Sequence, residues 1–235
     1  YDVENEYRGV HQQIDSAGVE DGHFVFTLGD KAPALYFVGD SPYHGGYFFL
    51  DGQEIVLKPE TVTEENIVWT VTGSPLDQVY REFNQRVYAE TFGRVKDSLN
   101  ALFCKARERE DRAEMMRIKN ESEPYYDEGY KKERALVNEY IQKNRENPFG
   151  MYLYYFRVFQ HRDFQTVEDI TSEKKYVNGF GAKSSPYIPR IMERLGQYEK
   201  CAIGHEAPEI VGRDTLGNPL CLSDFRGYYV IVDFW

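Results

Sequence analysis

IGHEAPEIVGRDTLGNPLCLSDFRGYYVIVDFW, Ile203 to Trp235, is the stretch on which the reading of the chain turns. Ala207-Pro208-Glu209-Ile210 is read as extended, because a residue before proline is pushed out of the helical region. Asp214 to Asn218 (DTLGN) is turn chemistry, and Pro219-Leu220-Cys221-Leu222 returns from it, so the two arms predict a small hairpin. Ser223-Asp224 suits a turn or a single helical turn, and Gly227 ends it. Tyr228 to Trp235 (YYVIVDFW) is β-branched or aromatic throughout, apart from one Asp. A run of this kind fits a strand covered on both faces. Such a strand needs neighbours and covering helices, and none follow Trp235. The stretch is therefore read as the opening of an α/β domain, and the chain as a fragment.

With its spacing intact, the pattern resembles the start of thioredoxin-like thiol–disulfide oxidoreductases of the peroxiredoxin superfamily, close to the cell-envelope branch of Gram-negative bacteria. The resemblance is carried by Gly204, Ala207, Pro208, Asp214, Gly217, Leu222, Ser223, Asp224, Phe225, Gly227 and the run Val230 to Trp235. It implies that a Trp-Cys-x-x-Cys follows on a helix N-terminus, where the dipole lowers a thiol's pKa and supplies the attacking thiolate. It also implies a periplasmic or envelope location, and protein disulfides or thiols as substrates of the parent. The redox motif lies outside the chain. Asp224 and Phe225 are expected to seat the hairpin, and Trp235 to lead into the redox loop; these are structural roles. A peroxidase of the same superfamily is an alternative, although peroxiredoxins typically carry Pro-x-x-x-Thr-x-x-Cys, and the Asp-Phe-Trp ending favours disulfide exchange.

Composition sets the outer bounds. The 235 residues are 41% apolar, enough for one or two cores. A net charge of -11 argues against nucleic acid and anionic membrane surfaces, both of which reward clustered Lys and Arg. No long apolar run predicts a transmembrane helix. The 3 cysteines, Cys104, Cys201 and Cys221, show neither C-x-x-C nor zinc spacing. Three free thiols, or one Cys201–Cys221 pair across the hairpin arm, are the open alternatives.

Upstream, the fold class is α+β. Residues 1–73 are expected to form an antiparallel β-sandwich or small barrel. Its strands are placed at Tyr7 to Ser16, His23 to Leu28, Ala34 to Val38, Tyr47 to Leu50, Gln53 to Leu57 (ended by Lys58-Pro59) and Ile67 to Thr72. Phe24, Phe26 and Leu28 share one face of the second. Tyr1-Asp2 is read as the end of an earlier strand. IDSAGVEDGHFVF also resembles a β-domain of unassigned function that precedes such thioredoxin modules.

Residues 74–202 are expected to be a helical bundle. Ser74-Pro75 pairs a hydroxyl cap with proline at the first helical position and starts a helix reaching about Asn120, which Gly93 kinks or divides. Glu123-Pro124 starts a second, ending about Arg145, and Asn147-Pro148 a third, rich in aromatics. Thr166-Val167-Glu168-Asp169 caps a fourth and Ser185-Pro186 a fifth. Cys201-Ala202-Ile203 is read as the hinge into residues 203–235.

No catalytic, cofactor-binding or metal-ligating residue is nominated, and no cofactor is expected. NGFGAKSS (Asn178 to Ser185) lacks the glycine spacing and preceding strand of a phosphate loop, and is read as a helix–helix loop. His44-Gly45-Gly46 is read as a loop with a solvated imidazole, since no histidine spacing suits a metal. Glu108 to Asp111 and Glu64-Glu65 are read as solvated faces and caps. The 19 Tyr and 15 Phe are read mainly as core filling. A function of another class stays open: a binding or dimerisation module, possible as a homodimer, that exposes an apolar or aromatic patch.

Overall fold

The computed structural model describes residues 2–5, 10–29, 31–52, 54–64 and 66–233. It is mixed α/β, with short antiparallel strand pairs and six α-helices among the described residues. Contacts divide it into two units, Tyr1–Arg162 with Asn178–Arg190, and Asp163–Val177 with Ile191–Trp235.

In the first unit, β1 (Asp2–Asn5), β2 (Val10–Gln12), β3 (Ala34–Ser41) and β4 (His44–Leu50) form an antiparallel sheet in the order β2-β1-β3-β4. A separate ribbon joins β5 (Val56–Val62) to β6 (Ile67–Thr72). Within β3–β4, Leu35 lies opposite Phe49 and Tyr36 opposite Phe48. Because strand side chains alternate, the first pair lies on one face of the sheet and the second pair on the other.

Three strand expectations change. Tyr7 to Ser16 contributes β2 alone; residues 6–9 lie outside the described set, and 13–19 carry no ladder. His23 to Leu28 has its alternation, with Phe24, Phe26 and Leu28 half-buried and their neighbours exposed, but no strand. Its backbone makes one isolated bridge, Glu20 to His23. Periodicity records which side faces inward, whereas a strand also requires a partner backbone. Lys58-Pro59 does not end β5 either. Pro59 lies inside the strand, opposite Trp69 and beside a register shift at Thr61. A bulge in a two-stranded ribbon tolerates the missing N–H.

Helix starts follow the local chemistry closely. Ser74 caps α1 (Pro75–Thr91), its Oγ accepting the Asp77 N–H at 3.1 Å. The same hydroxyl donates to the Phe49 carbonyl at 2.6 Å and to Asp51. Asp51 accepts the Leu76 N–H at 2.8 Å, and Asp77, only 2% exposed, accepts the Phe49 N–H at 2.9 Å and bonds Arg81. Asp51 meets an orphan N–H of the helix, and both carboxylates lie near the positive end of its dipole. This polar knot fastens α1 to β4.

Gly93, at φ +52, divides α1 from α2 (Gly93–Glu108). The next expectation is corrected: Glu123-Pro124 starts nothing. Instead α3 (Arg112–Lys143) runs through Pro124, and its true start is Asp111, which accepts the Glu114 N–H at 3.0 Å. Asp followed three residues later by Glu is an N-terminal signature, hidden here in a charged run. The helix already under way at Pro124 is held by α1, α2 and α4, so packing overrides the local break.

Asn147 caps α4 (Pro148–Arg157), accepting the Phe149 N–H at 2.8 Å. All residues from Phe149 to Phe156 are buried. The Phe49 ring meets Phe149 at 5.9 Å and Tyr152 at 5.5 Å, both edge-on. Such pairs add about 0.5–1.5 kcal/mol each beyond area burial. Tyr187 stacks on Tyr155 at 5.2 Å and accepts the Leu35 N–H at 3.0 Å through its hydroxyl. The core of this unit thus lies between one face of β3–β4 and α1 and α4, with Tyr187 beside it.

In the second unit, Thr166 caps α5 (Val167–Asn178): its Oγ1 accepts the Asp169 N–H at 3.1 Å, and Asp169 accepts the Thr166 N–H at 3.3 Å. The sixth helix, α6 (Tyr187–Glu199), belongs to this unit from Ile191 onward. The expected hinge is fastened, since Ile203 donates to Gln165 at 2.8 Å and accepts from Val167 at 3.3 Å. The hairpin is present as β7 (Val211–Arg213) and β8 (Pro219–Cys221), followed by a single 3₁₀ turn, Leu222–Phe225. Asp214 Oδ1 holds its turn by accepting the Leu216 and Asn218 N–H groups at 2.9 and 2.8 Å. Tyr228 to Asp233 departs from expectation, being exposed and without strand pairing; Phe234 and Trp235 lie outside the described residues.

Candidate functional site

Apolar residues on the second face of β3–β4 meet the irregular segment 13–28 and the β5–β6 ribbon around a cavity of about 550 Å³. Tyr36, Phe48 and Val38 come from the sheet, Phe24, Phe26 and Leu28 from the alternating segment, and Leu57, Ile67 and Trp69 from the ribbon. Phe24 lies 5.6 Å from Phe26 and 6.0 Å edge-on from Trp69, whose indole N–H donates to the Val38 carbonyl at 3.3 Å. Gln13, Asp15, Ser16 and Asp40 are its polar lining. A concave apolar site with a few polar groups is the usual form of a small-molecule pocket.

Of the two glycines of the HGG sequence, Gly45 lies against β3 and Gly46 against the ribbon. A Cβ on Gly46 would lie 2.1 Å from the Ile67 carbonyl oxygen and 2.8 Å from the Trp69 ring, so only glycine admits β6 this close. His44 is no solvated imidazole. Its side chain is 24% exposed, with Nδ1 at 2.8 Å from Asp40 and Nε2 at 2.8 Å from the Thr63 carbonyl. Both partners are acceptors, so the protonated ring satisfies both. The Thr63 carbonyl first, and then the Asp40 carboxylate, hold its pKa above the ordinary 6.5. His44 ties the β3–β4 turn to the β5–β6 turn.

Cys104, Cys201 and Cys221 are all free thiols, and the Cys201–Cys221 pair is not formed. Burial, and then the carboxylates of Asp224 and Glu209, raise the pKa of Cys221, opposite to what a nucleophilic thiol needs. Asp224 accepts the Cys221 N–H at 2.9 Å, closing the turn after β8. Phe225, expected to seat the hairpin, stays exposed. NGFGAKSS links α5 to α6; Phe180 is buried beneath the Arg145 guanidinium at 4.6 Å, and Lys183 donates to the Asn178 carbonyl.

Among the described residues no group of three or more His, Cys, Asp or Glu is placed to hold a metal ion. No helix among them is long and apolar enough to cross a membrane. The β-rich part exposes Val19, Val25, Tyr43 and Val62. The alternation of Phe24, Phe26 and Leu28 is the one local trace of the cavity in the sequence. The chain matches no protein-family model, no curated protein and no solved structure at a significant level.

Proposed function

We propose that the chain is the amino-terminal scaffold of an envelope thiol–disulfide interchange protein. The observation that carries this is the hairpin with its closing turn. Asp214 organises the DTLGN turn, Asp224 caps LSDF, and an apolar stretch, Tyr228 to Val232, follows without a partner strand among the described residues. Read this way, 203–235 opens a thioredoxin-like domain, and Tyr228 onward is its first central strand. The exchange itself belongs to a Cys-x-x-Cys beyond Trp235. There a thiolate attacks a substrate disulfide, and the second cysteine resolves the mixed disulfide and releases the substrate dithiol. The test is insulin reduction by the full gene product. Turnover abolished by substitution of either cysteine supports the proposal; peroxide turnover without thiol exchange would favour the peroxidase reading instead.

A second reading, a binding module, is favoured by the cavity. We read the β1–β4 sheet and the β5–β6 ribbon as two layers of a small sandwich, opened between them by residues 13–28. The two readings are compatible, because a scaffold that binds a ligand can present it to a redox partner.

A further inference from the structure

We propose that the cavity binds an apolar amine, its body among the aromatic side chains and its cationic head at the rim. This rests on the binding-module reading and adds the ligand's chemistry. Size is the first argument: about 550 Å³ lies within the range of roughly 300–1,000 Å³ typical of small-molecule pockets. The wall chemistry is the second. Phe24, Phe26, Tyr36, Phe48 and Trp69 present rings from four separate stretches of chain, the 24–26 segment, β3, β4 and β6. Apolar bodies are retained by such surfaces, and ring faces attract cations.

Sign is the third argument. Among the described residues, the charged groups lining the cavity are the carboxylates of Asp15 and Asp40, with no Lys or Arg beside them in the lining. Asp40 is engaged by His44, whereas Asp15 sits exposed, its Oδ1 accepting the adjacent Ser16 N–H at 2.8 Å. Asp15 is thus placed to meet an ammonium group. A carboxylate or phosphate head would enter against both acids and against the chain's net charge of -11.

The test uses Nile red, a neutral apolar dye, displaced by dodecylamine or dodecanoate below their micellar concentrations at neutral pH. Saturable dye binding is expected, displaced by the amine in preference to the carboxylate. Ala17→Trp, which places an indole in the cavity from an irregular segment, should weaken the dye more than about tenfold. Asp15→Asn should narrow the amine preference over the carboxylate by about threefold, as for an exposed ion pair. Both variants should keep the wild-type unfolding midpoint, which separates lost binding from lost fold. Absence of saturable dye binding would overturn the binding module and the ligand together. Dye binding with equal displacement by dodecanoate would leave the module standing and overturn the amine. Wild-type dye affinity in Ala17→Trp would place the dye elsewhere and overturn the site.

Discussion

Two aromatic stretches of similar character have opposite fates. Phe149 to Phe156 (FGMYLYYF) is buried throughout, while Tyr228 to Val232 (YYVIV) is exposed, with Tyr228 at 78% and Ile231 at 95%. Composition does not separate them. The first forms a helix capped by Asn147 that α1, α3 and β3 surround, so each ring finds a partner surface. The second has the content of a central strand and no backbone beside it among the described residues. Apolar character states a demand for cover; the neighbours decide whether it is met.

The largest effect should come from breaking the buried member. Tyr152→Ala removes a ring that touches Phe49, Phe149 and Phe156, and should cost about 3–5 kcal/mol in urea unfolding. Gly46→Val drives a side chain into the Ile67 carbonyl and Trp69, and should cost about 1–3 kcal/mol, with a change in Trp69 fluorescence. Ser74→Ala removes the α1 cap and leaves the buried Phe49 carbonyl without this donor, for about 1–2 kcal/mol.

His44→Gln should have a smaller, pH-dependent effect. The folded-state pKa is raised, so the clamp contributes in full below the unfolded-state value of about 6.5 and fades as pH rises through the folded one. The stability difference between wild type and His44→Gln should therefore be larger in acid than in alkali, and the opposite slope would remove the clamp. The smallest effect belongs to the exposed stretch. Ile231→Ser should change unfolding of this chain by less than about 0.5 kcal/mol. A cost comparable to Tyr152→Ala would erase the contrast between the two stretches.

What was legible in the sequence was local. Ser74-Pro75, Asn147-Pro148 and Thr166 declared helix starts through hydroxyl or amide caps, and DTLGN declared its turn, because each rests on bonds spanning a few residues. Pro124 misled, since its local cost is outweighed by the packing of a helix already begun at Asp111. His23 to Leu28 misled in another way: alternation marked its inward face correctly, while the pairing it lacks is a long-range property. The cavity was the least visible feature. It is assembled from the 13–19, 24–28 and 36–40 neighbourhoods, Phe48, Leu57 and the 67–69 neighbourhood, and no one of them carries a motif. His44 was similarly hidden, because its second acceptor, Thr63, is nineteen residues away.

The most direct measurement is the gene sequence beyond the codon for Trp235. A Trp-Cys-x-x-Cys or Cys-x-x-Cys within about five residues is expected, making Tyr228 onward the strand that leads into a redox helix. A stop codon at that point would contradict the thiol-exchange scaffold and leave the cavity as the chain's functional feature.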